Sequence, residues 1–140
     1  MERTFIKKPT KKPLKFSRGS IIKPIPGSES LAPLKAHYIP EASQLNVSFV
    51  HESMPGWSAG PEMVHSKTIE LAYVIYGKAT GFINGKKILL KKGDYLIIPA
   101  GTPHRFEAGR AGLEAVSIFA PPINPDNPDA EIVFKRKAKV

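Results

Sequence analysis

The stretch at residues 93–104, Gly-Asp-Tyr-Leu-Ile-Ile-Pro-Ala-Gly-Thr-Pro-His, decides the fold of this 140-residue chain. A glycine opens a short apolar strand, Pro99 and Gly101 make a tight corner, and His104 begins the strand that returns. The spacing Gly93-x5-Pro99-x-Gly101-x2-His104 therefore predicts two strands joined at a corner, with an imidazole at the start of the second.

A second pattern lies upstream and places a histidine and a carboxylate at a fixed distance along the chain. It reads His65-x4-Glu70-x6-Gly77, and a Pro-Gly pair at residues 55–56 opens the loop before it. Glu70 stands in an otherwise apolar strand. Because a carboxylate is costly to bury unless it binds a cation or accepts hydrogen bonds, Glu70 is a candidate functional residue.

Short apolar and β-branched runs, each ended by a turn signal, recur through the middle of the chain. Asn84-Gly85 is typical of a type I′ hairpin, and fourteen prolines and eleven glycines interrupt the chain too often for long helices. The runs occupy residues 45–50, 69–76, 79–83, 86–90, 94–98, 104–108 and 113–120, with a further short run at 131–134. Strands at this spacing predict an antiparallel all-β sandwich or barrel with little helix.

Together the two patterns resemble the motifs of the cupin superfamily, G-x5-H-x-H-x3–4-E-x6-G and G-x5-P-x-G-x2-H-x3-N. Residues 55–108 match both motifs in order, and the resemblance extends over roughly residues 40–120. It implies a double-stranded β-helix, the cupin jelly-roll barrel, in which three histidines and one glutamate hold a metal. The chain departs from the pattern at two positions, where Met63 stands for the first histidine and Ala108 for the final asparagine.

The resemblance implies that three ligand positions remain, namely His65, Glu70 and His104. Two imidazoles and one carboxylate form the set that holds non-haem Fe(II) with open positions, and the same set accepts Mn, Ni, Co or Zn. We therefore expect one divalent transition metal. Met63 is expected to fill the barrel, since a thioether is a weak ligand for these ions. The alternative is a metal-free pocket, in which His65 and Glu70 form a buried hydrogen-bonded pair and His104 bonds a backbone carbonyl.

Alternation along the strands assigns further side chains to the same cavity. With Glu70 inward, Tyr76 faces the same way, and Phe106 shares a side with His104. Together with Met63, these two aromatic residues are the expected walls of a largely apolar pocket with a small polar centre. For residues 45–50, two registers remain open.

An enzyme of this type needs a general acid or base near the cavity besides its metal ligands. The candidates by position are His37, His51, Glu52, Glu62 and Tyr76. We expect His51, Glu52 and Glu62 to be solvated residues in or beside the loop that precedes the first motif.

The net charge of +9 resides in the two ends of the chain. Residues 1–23 carry eight basic side chains and one acid, residues 135–140 carry four basic side chains and no acid, and residues 24–134 are slightly acidic. We therefore divide the chain into a basic, proline-containing N-terminal segment, a barrel at residues 24–134 and a basic tail. The ends are expected to attract polyanions in a salt-dependent way, without sequence-specific nucleic-acid binding.

Composition also excludes several classes of protein. Without cysteine the chain has no disulfide framework, no thiolate metal site and no cysteine nucleophile. Its longest apolar run, residues 71–76, is too short to cross a membrane, and residues 1–23 lack the apolar core of a secretory signal. We expect a cytoplasmic protein. We also expect a homodimer, because residues 20–25 are apolar enough to add as an edge strand to a partner.

The resemblance leaves two functions open. The first is a small metalloenzyme that acts on a small polar organic molecule, such as a sugar or carboxylic acid, by isomerase, lyase or dioxygenase chemistry. The second is a non-catalytic cupin, with or without metal, that binds a small molecule. Because a fold does not define a function, the site has to distinguish them.

Overall fold

The computed structural model describes Gly19 and residues 23–133. Most of the basic N-terminal segment and the whole basic tail lie outside these residues, so what was predicted for the two ends stays a prediction. Two short 3-10 helices, Ser28–Leu31 and Pro40–Leu45, accompany the strands of this part. The strands are β1 (Lys23–Pro24), β2 (Lys35–Ile39), β3 (Ser48–Met54), β4 (Met63–His65), β5 (Ile69–Ile83), β6 (Lys86–Lys91), β7 (Tyr95–Ile98), β8 (His104–Ala120) and β9 (Ala130–Ile132).

The two long strands β5 and β8 form the centre of the sheet, and β3, β4, β6 and β7 pair with one or the other of them. They run antiparallel along their whole length, with register shifts at 74/76 and 77/79 that let the pair bend. At the bend Gly77 has a φ of 78°, and a Cβ built on it would overlap the carbonyl oxygen of Gly112. Only glycine allows these two backbones to approach so closely.

The strands around β5 and β8 curl the sheet into a partly closed barrel. β3 pairs with the second half of β8, while β4 pairs with its first residue, and β6 and β7 pair with opposite halves of β5. Inward side chains form two apolar clusters, one around Val74 and Leu113 and one around Val50 and Phe119. The prediction of an antiparallel all-β fold with little helix is confirmed.

The turns predicted from local sequence are present. Asn84 and Gly85, with φ of 50° and 80°, join β5 to β6, and Ile83 pairs with Lys86 across them. The corner after β7 has Gly101 at φ 79°, and its N–H donates a hydrogen bond of 2.7 Å to the carbonyl of His65. The corner is thereby bonded directly to the chain that carries the first candidate ligand.

The strand predicted at residues 45–50 is displaced towards the C-terminus. Pro40 begins a 3-10 helix that includes Leu45, which is 74% exposed, and Asn46 ends it in the left-handed conformation at φ 59°. Strand β3 therefore begins only at Ser48, and it continues to Met54. The expectation that His51 and Glu52 lie in a solvated loop was wrong, because the paired strand extends past both of them.

The first and last strands of the described chain, β1 and β9, each pair with one other strand of the sheet. β1 pairs with β2 of the same chain and lies at the edge of the sheet, while residues 20–22 lie outside the described residues, so the pairing of this segment with a partner stays a prediction. After β8 the chain returns along residues 121–129, and β9 pairs with β4, with Ala130 opposite His65. No helix among the residues that the structure describes is long and apolar enough to cross a membrane.

Candidate metal centre

Three polar side chains meet inside the curled sheet. His65 ends β4, Glu70 is the second residue of β5, and His104 begins β8. Each is at most 5% exposed, and one nitrogen or oxygen atom from each lies within 4.8 Å of the others. The structure thus brings together the three residues that the spacing of the two motifs singled out.

His104 is held by a backbone carbonyl. Its Nδ1 lies 2.9 Å from the carbonyl oxygen of Thr102, two residues earlier, which assigns the ring proton to Nδ1 and leaves the lone pair on Nε2. Burial alone would lower the pKa of His104, but its contacts with Glu70 and Thr102 outweigh burial and raise the pKa. The Nε2 atom lies 3.2 Å from Oε2 of Glu70.

His65 stacks against His104 with ring centroids 5.5 Å apart and ring planes within 13°. The ring of Phe119 also lies next to His65, tilted by 42°, with ring centroids 5.0 Å apart. Burial lowers the pKa of His65, and the carboxylates of Glu70 and Asp129 offset this only in part. The imidazole of His65 is therefore held neutral, as a metal ligand has to be.

Glu52 is a second carboxylate in the cavity. It points inward from β3 because Val50 and Met54, two residues to either side, are both buried. Burial raises the pKa of Glu52 to about 7, with the negative charge of Glu70 as the second cause, while a hydrogen bond to Ser117 and the His104 ring partly oppose the rise.

The cavity around these groups has a volume of about 250 Å³. Apolar side chains from β3, β4, β5, β6 and β8 form its walls, and Met63 and Phe106 are among them. Residues from three further parts of the chain also line the cavity, within the segments 25–31, 60–61 and 128–132. A space of this size suits a small ligand bound next to the three polar side chains.

A model of a known family matches this part of the chain. The model, described as a cupin domain, matches residues 49–119, from β3 to the end of β8. The chain belongs to the cupin family. The resemblance proposed from the two motifs is thereby confirmed, and the curled antiparallel sheet is the cupin jelly roll.

Similar proteins include several enzymes. A stretch of 48 residues is 46% identical to quercetin 2,3-dioxygenase of Bacillus subtilis (strain 168), and it covers 34% of this cupin but only 14% of that enzyme. The structure of Pac13 from Streptomyces, a nucleoside dehydratase, has a TM-score of 0.60 at 18% identity and covers 71% of this chain and 78% of that chain. A "predicted oxalate decarboxylase" from Thermotoga maritima has a TM-score of 0.56 at 22% identity, covering 62% and 79%. At these identities the structural likeness shows the fold alone.

The hydrogen bonding of this cupin leaves room for a cation. Among the described residues, His65 Nδ1 and Glu70 Oε2 are the buried side-chain atoms that have no hydrogen-bond partner. With the proton of His104 on Nδ1, its Nε2 and the neighbouring Oε2 of Glu70 present lone pairs to each other at 3.2 Å. Such a contact is unfavourable unless a proton or a metal ion joins the two atoms. The residues therefore fit the metal that the family pattern implies.

The remaining sequence candidates lie elsewhere. Tyr76 was expected in the pocket, but it is 52% exposed and does not line this cavity, because the register shift between Val74 and Tyr76 reverses the alternation. His37 and His51 face each other across β2 and β3 and do not line the cavity either. Glu62 lies just before β4 and likewise contributes nothing to its wall.

Two functional candidates were missed or misplaced from the sequence. Glu52 was named but placed in a loop, and its alternation with Val50 and Met54 was the available signal. Asp129 was not named at all. It lies 64 residues after His65, and its Oδ1 atom is 3.7 Å from Nδ1 of that ring. Local sequence carries no signal for such a distant contact.

Proposed function

We propose that this cupin is a metal-dependent enzyme in which His65, Glu70 and His104 hold one divalent transition metal. The proposal is supported by the closeness of the three buried side chains, whose donor atoms lie within 4.8 Å of one another, and by Oε2 of Glu70, which has no hydrogen-bond partner. When bound, such an ion polarises a carbonyl or hydroxyl group of a small molecule. Met63 stands where the family pattern has a third imidazole, so an ion held by the other three side chains would keep a coordination position available for a substrate oxygen.

Glu52 is the proposed general acid and base. A carboxyl group with a pKa near 7 exists in both protonation states at neutral pH, so it can take a proton from a substrate and return it. Ser117, which is 1% exposed, lies on the same cavity wall, and its hydroxyl moderates the raised pKa of Glu52. The inward placement of Glu52 beside the candidate metal ligands is the observation that carries the proposal.

The arrangement favours proton-transfer chemistry, as in an isomerase or a lyase, over the dioxygenase alternative. Proton transfer requires an acid–base group separate from the metal ligands, and Glu52 provides one. A cavity of about 250 Å³ limits the substrate to a small molecule. We propose a hydroxy or oxo compound of the size of a short sugar or carboxylic acid, whose oxygen binds on the Met63 side of the ligands.

Hydrogen–deuterium exchange in D₂O tests this function without knowledge of the product. Protein reconstituted with Mn(II), Fe(II), Ni(II) or Zn(II) is incubated with a panel of small sugars, hydroxy acids and keto acids, and loss of carbon-bound hydrogen is followed by mass spectrometry. We expect exchange or turnover of at least one compound, and its loss in Glu52→Gln. Exchange that persists in Glu52→Gln would contradict the role of Glu52, and binding without exchange would contradict an enzyme.

One contact favours the non-catalytic alternative. The 3.2 Å approach of His104 Nε2 and Glu70 Oε2 is also satisfied by a shared proton, which makes an ion pair without metal. In that case the same cavity binds a small molecule directly, through its apolar walls and a polar centre. Elemental analysis of the purified protein distinguishes the two arrangements.

We also propose a homodimer, through a surface different from the N-terminal edge. The outer face of the sheet around β5 and β7 carries apolar residues that the described chain leaves exposed, with Tyr73 opposite Tyr95 and Leu71 opposite Ile97. Tyr95 and Ile97 are 63% and 60% exposed, and Ile69 is 50% exposed. The outward residues at positions 69–75 and 95–97 include no charged side chain.

The extent of this face favours a second copy of the chain as its partner. The half-buried apolar residues Val116, Ile118 and Phe49 continue it across β8 and β3. Four strands at ~4.8 Å spacing and ~20 Å of strand length give an apolar area of roughly 300 Å² in projection. Such an area suits the centre of an interface that buries ~800 Å² on each partner, with charged residues as its rim.

A further inference from the structure

The carboxylate of Asp129 binds the chain immediately after His65. The backbone N–H groups of Lys67 and Thr68 donate to its Oδ2 at 2.8 and 2.9 Å, and the Thr68 hydroxyl donates to the same atom at 3.1 Å. The backbone carbonyl of Asp129 also accepts a hydrogen bond of 3.2 Å from the N–H of Ser66. The segment that follows His65 is therefore held by a single aspartate from the far end of the chain.

The second carboxylate oxygen faces the imidazole. Oδ1 of Asp129 lies 3.7 Å from Nδ1 of His65, which is buried and has no hydrogen bond. Oδ2 receives three donors, whereas Oδ1 receives only the Thr68 hydroxyl at 3.3 Å, a bond that this hydroxyl shares with Oδ2. Oδ1 is therefore the oxygen with more capacity to accept a proton from the ring. At 3.7 Å the two atoms are not hydrogen-bonded in this structure, so the bond inferred below requires the ring and the carboxylate to move closer together.

His104 shows the same arrangement with a different acceptor. Its Nδ1–H donates to the carbonyl of Thr102, and its Nε2 is free to bind a ligand. The two imidazole planes are within 13° of each other. An acceptor on the outer nitrogen of a metal-binding histidine sets the tautomer and makes the other nitrogen a better ligand.

We infer that Asp129 is a positioning residue for the metal centre: its carboxylate keeps the proton of His65 on Nδ1 and so leaves the Nε2 lone pair for the metal. The inference rests on the proposed metal site for its purpose, although the tautomer itself is a property of the metal-free protein. Asp129 lies ten residues beyond the segment that matches the family model, which ends at residue 119. Strand β9 brings it to the site by pairing with β4.

Asp129→Asn is the variant that separates this role from a structural one. The N–H groups of Lys67 and Thr68 require an acceptor at the Oδ2 position, so the amide of the variant places its NH₂ group where Oδ1 stood. A donor then faces Nδ1 of His65, and the ring has to move its proton to Nε2. The hydrogen bonds to the backbone remain, while the metal-binding lone pair is lost.

The variants are compared by two measurements. Nitrogen-15 chemical shifts of the His65 ring in metal-free protein at pH 8.5 report the tautomer, and competition with a fluorescent chelator reports the affinity for Zn(II). We expect Nδ1–H in the wild type, Nε2–H in Asp129→Asn, and roughly 10–100-fold weaker Zn(II) binding in the variant. Asp126→Asn, which removes the same charge from an exposed position three residues away, is the matched control and should change neither.

Thr68→Val tests whether loosening the segment is enough to produce the effect. It removes one hydrogen bond to Asp129 but keeps the carboxylate beside His65, so it should lower the melting temperature and preserve the Nδ1–H tautomer. Nε2–H in the wild type, or wild-type tautomer and affinity in Asp129→Asn, would overturn the inference. If the wild type binds neither Zn(II) nor Fe(II), Mn(II) or Ni(II), the proposed metal site fails, and the tautomer in metal-free protein still decides the role of Asp129.

Discussion

Glu52 and Glu70 are two carboxylates in one cavity, and their surroundings give them different properties. Glu70 is 4% exposed and lies next to the two imidazoles, where a metal or a proton can satisfy it. Glu52 lies towards Ser117, and burial keeps its carboxyl group protonated up to about neutral pH. Separate environments for two acids are a common way to divide a ligand from a proton carrier.

The raised pKa of Glu52 predicts a pH-dependent gain in stability when its charge is removed. Folding moves the pKa from 4.5 to about 7, so burial of the charged form costs free energy above pH 7, and none below pH 4.5. Glu52→Gln should therefore raise the free energy of unfolding of metal-free protein at pH 8 by about 1–3 kcal/mol and leave it unchanged at pH 4.5. Urea denaturation at the two pH values checks this, with the exposed Glu41→Gln as control. Equal effects at both pH values would contradict it.

Substitutions of Met63 test whether a fourth ligand at this position strengthens metal binding. It pairs with His104 across β4 and β8 and lines the cavity, so a side chain at this position reaches the ligand group. Met63→His should tighten Zn(II) binding by about tenfold or more, because an imidazole is a far better ligand for this ion than a thioether. Met63→Leu should leave the affinity close to the wild-type value. Chelator competition measures both, and a large loss in Met63→Leu would show that the thioether is itself a ligand.

At the scale of the elements, β5 and β8 can bend together only because Gly77 lies where the two backbones approach closely, next to Gly112. Gly77→Ala adds both left-handed strain and an overlap with the carbonyl of Gly112, whereas Gly85→Ala in the hairpin meets open space and adds strain alone. We expect a loss of about 1 kcal/mol for Gly85→Ala and of about 3 kcal/mol or more for Gly77→Ala. Thermal and urea unfolding measure the difference. Equal losses would show that this close approach tolerates a methyl group.

Elements defined by short-range chemistry were predictable from the sequence. The Asn84-Gly85 hairpin and the Pro99–Gly101 corner follow from residues that adopt particular backbone conformations, and they fixed the positions of β6, β7 and the start of β8. Along the strand that contains Glu70, the alternation of inward and outward side chains was predicted correctly as far as Val74. Beyond it the register shift reversed the pattern, and Tyr76 was placed on the wrong face.

Features that depend on long-range packing were not predictable in the same way. The start of β3 was displaced because a 3-10 helix begins at Pro40 and ends at Asn46, and the strand then continues past Glu52 to Met54 because it pairs with β2 and β8. Asp129 reaches His65 only because β9 returns to pair with β4. The residues next to the site do not indicate where β3 begins or that β9 pairs with β4.

At the scale of the whole molecule, the apolar outer face predicts self-association. Light scattering should give a mass of twice the chain mass of 15.3 kDa at high protein concentration. A lysine at the centre of the face, in Ile97→Lys, should shift the protein to monomer because an unpaired charge would be buried between the two copies. Leu89→Lys replaces a residue that is 75% exposed on a different strand and should leave the dimer intact. A wild type that stays monomeric at high concentration would exclude this interface.

The metal content of the protein tests the central claim most directly. Elemental analysis after reconstitution with Fe(II), Mn(II), Ni(II) or Zn(II) at pH 8 should find one ion per chain for at least one of these metals, and none in His104→Ala. Because contacts with Glu70 and Thr102 raise the pKa of His104, protons compete for its Nε2 more strongly than in a free imidazole, and occupancy should fall as the pH drops through neutrality. Wild-type protein that binds none of the four ions at pH 8 would contradict the account, and the three side chains would then form the polar centre of a metal-free pocket.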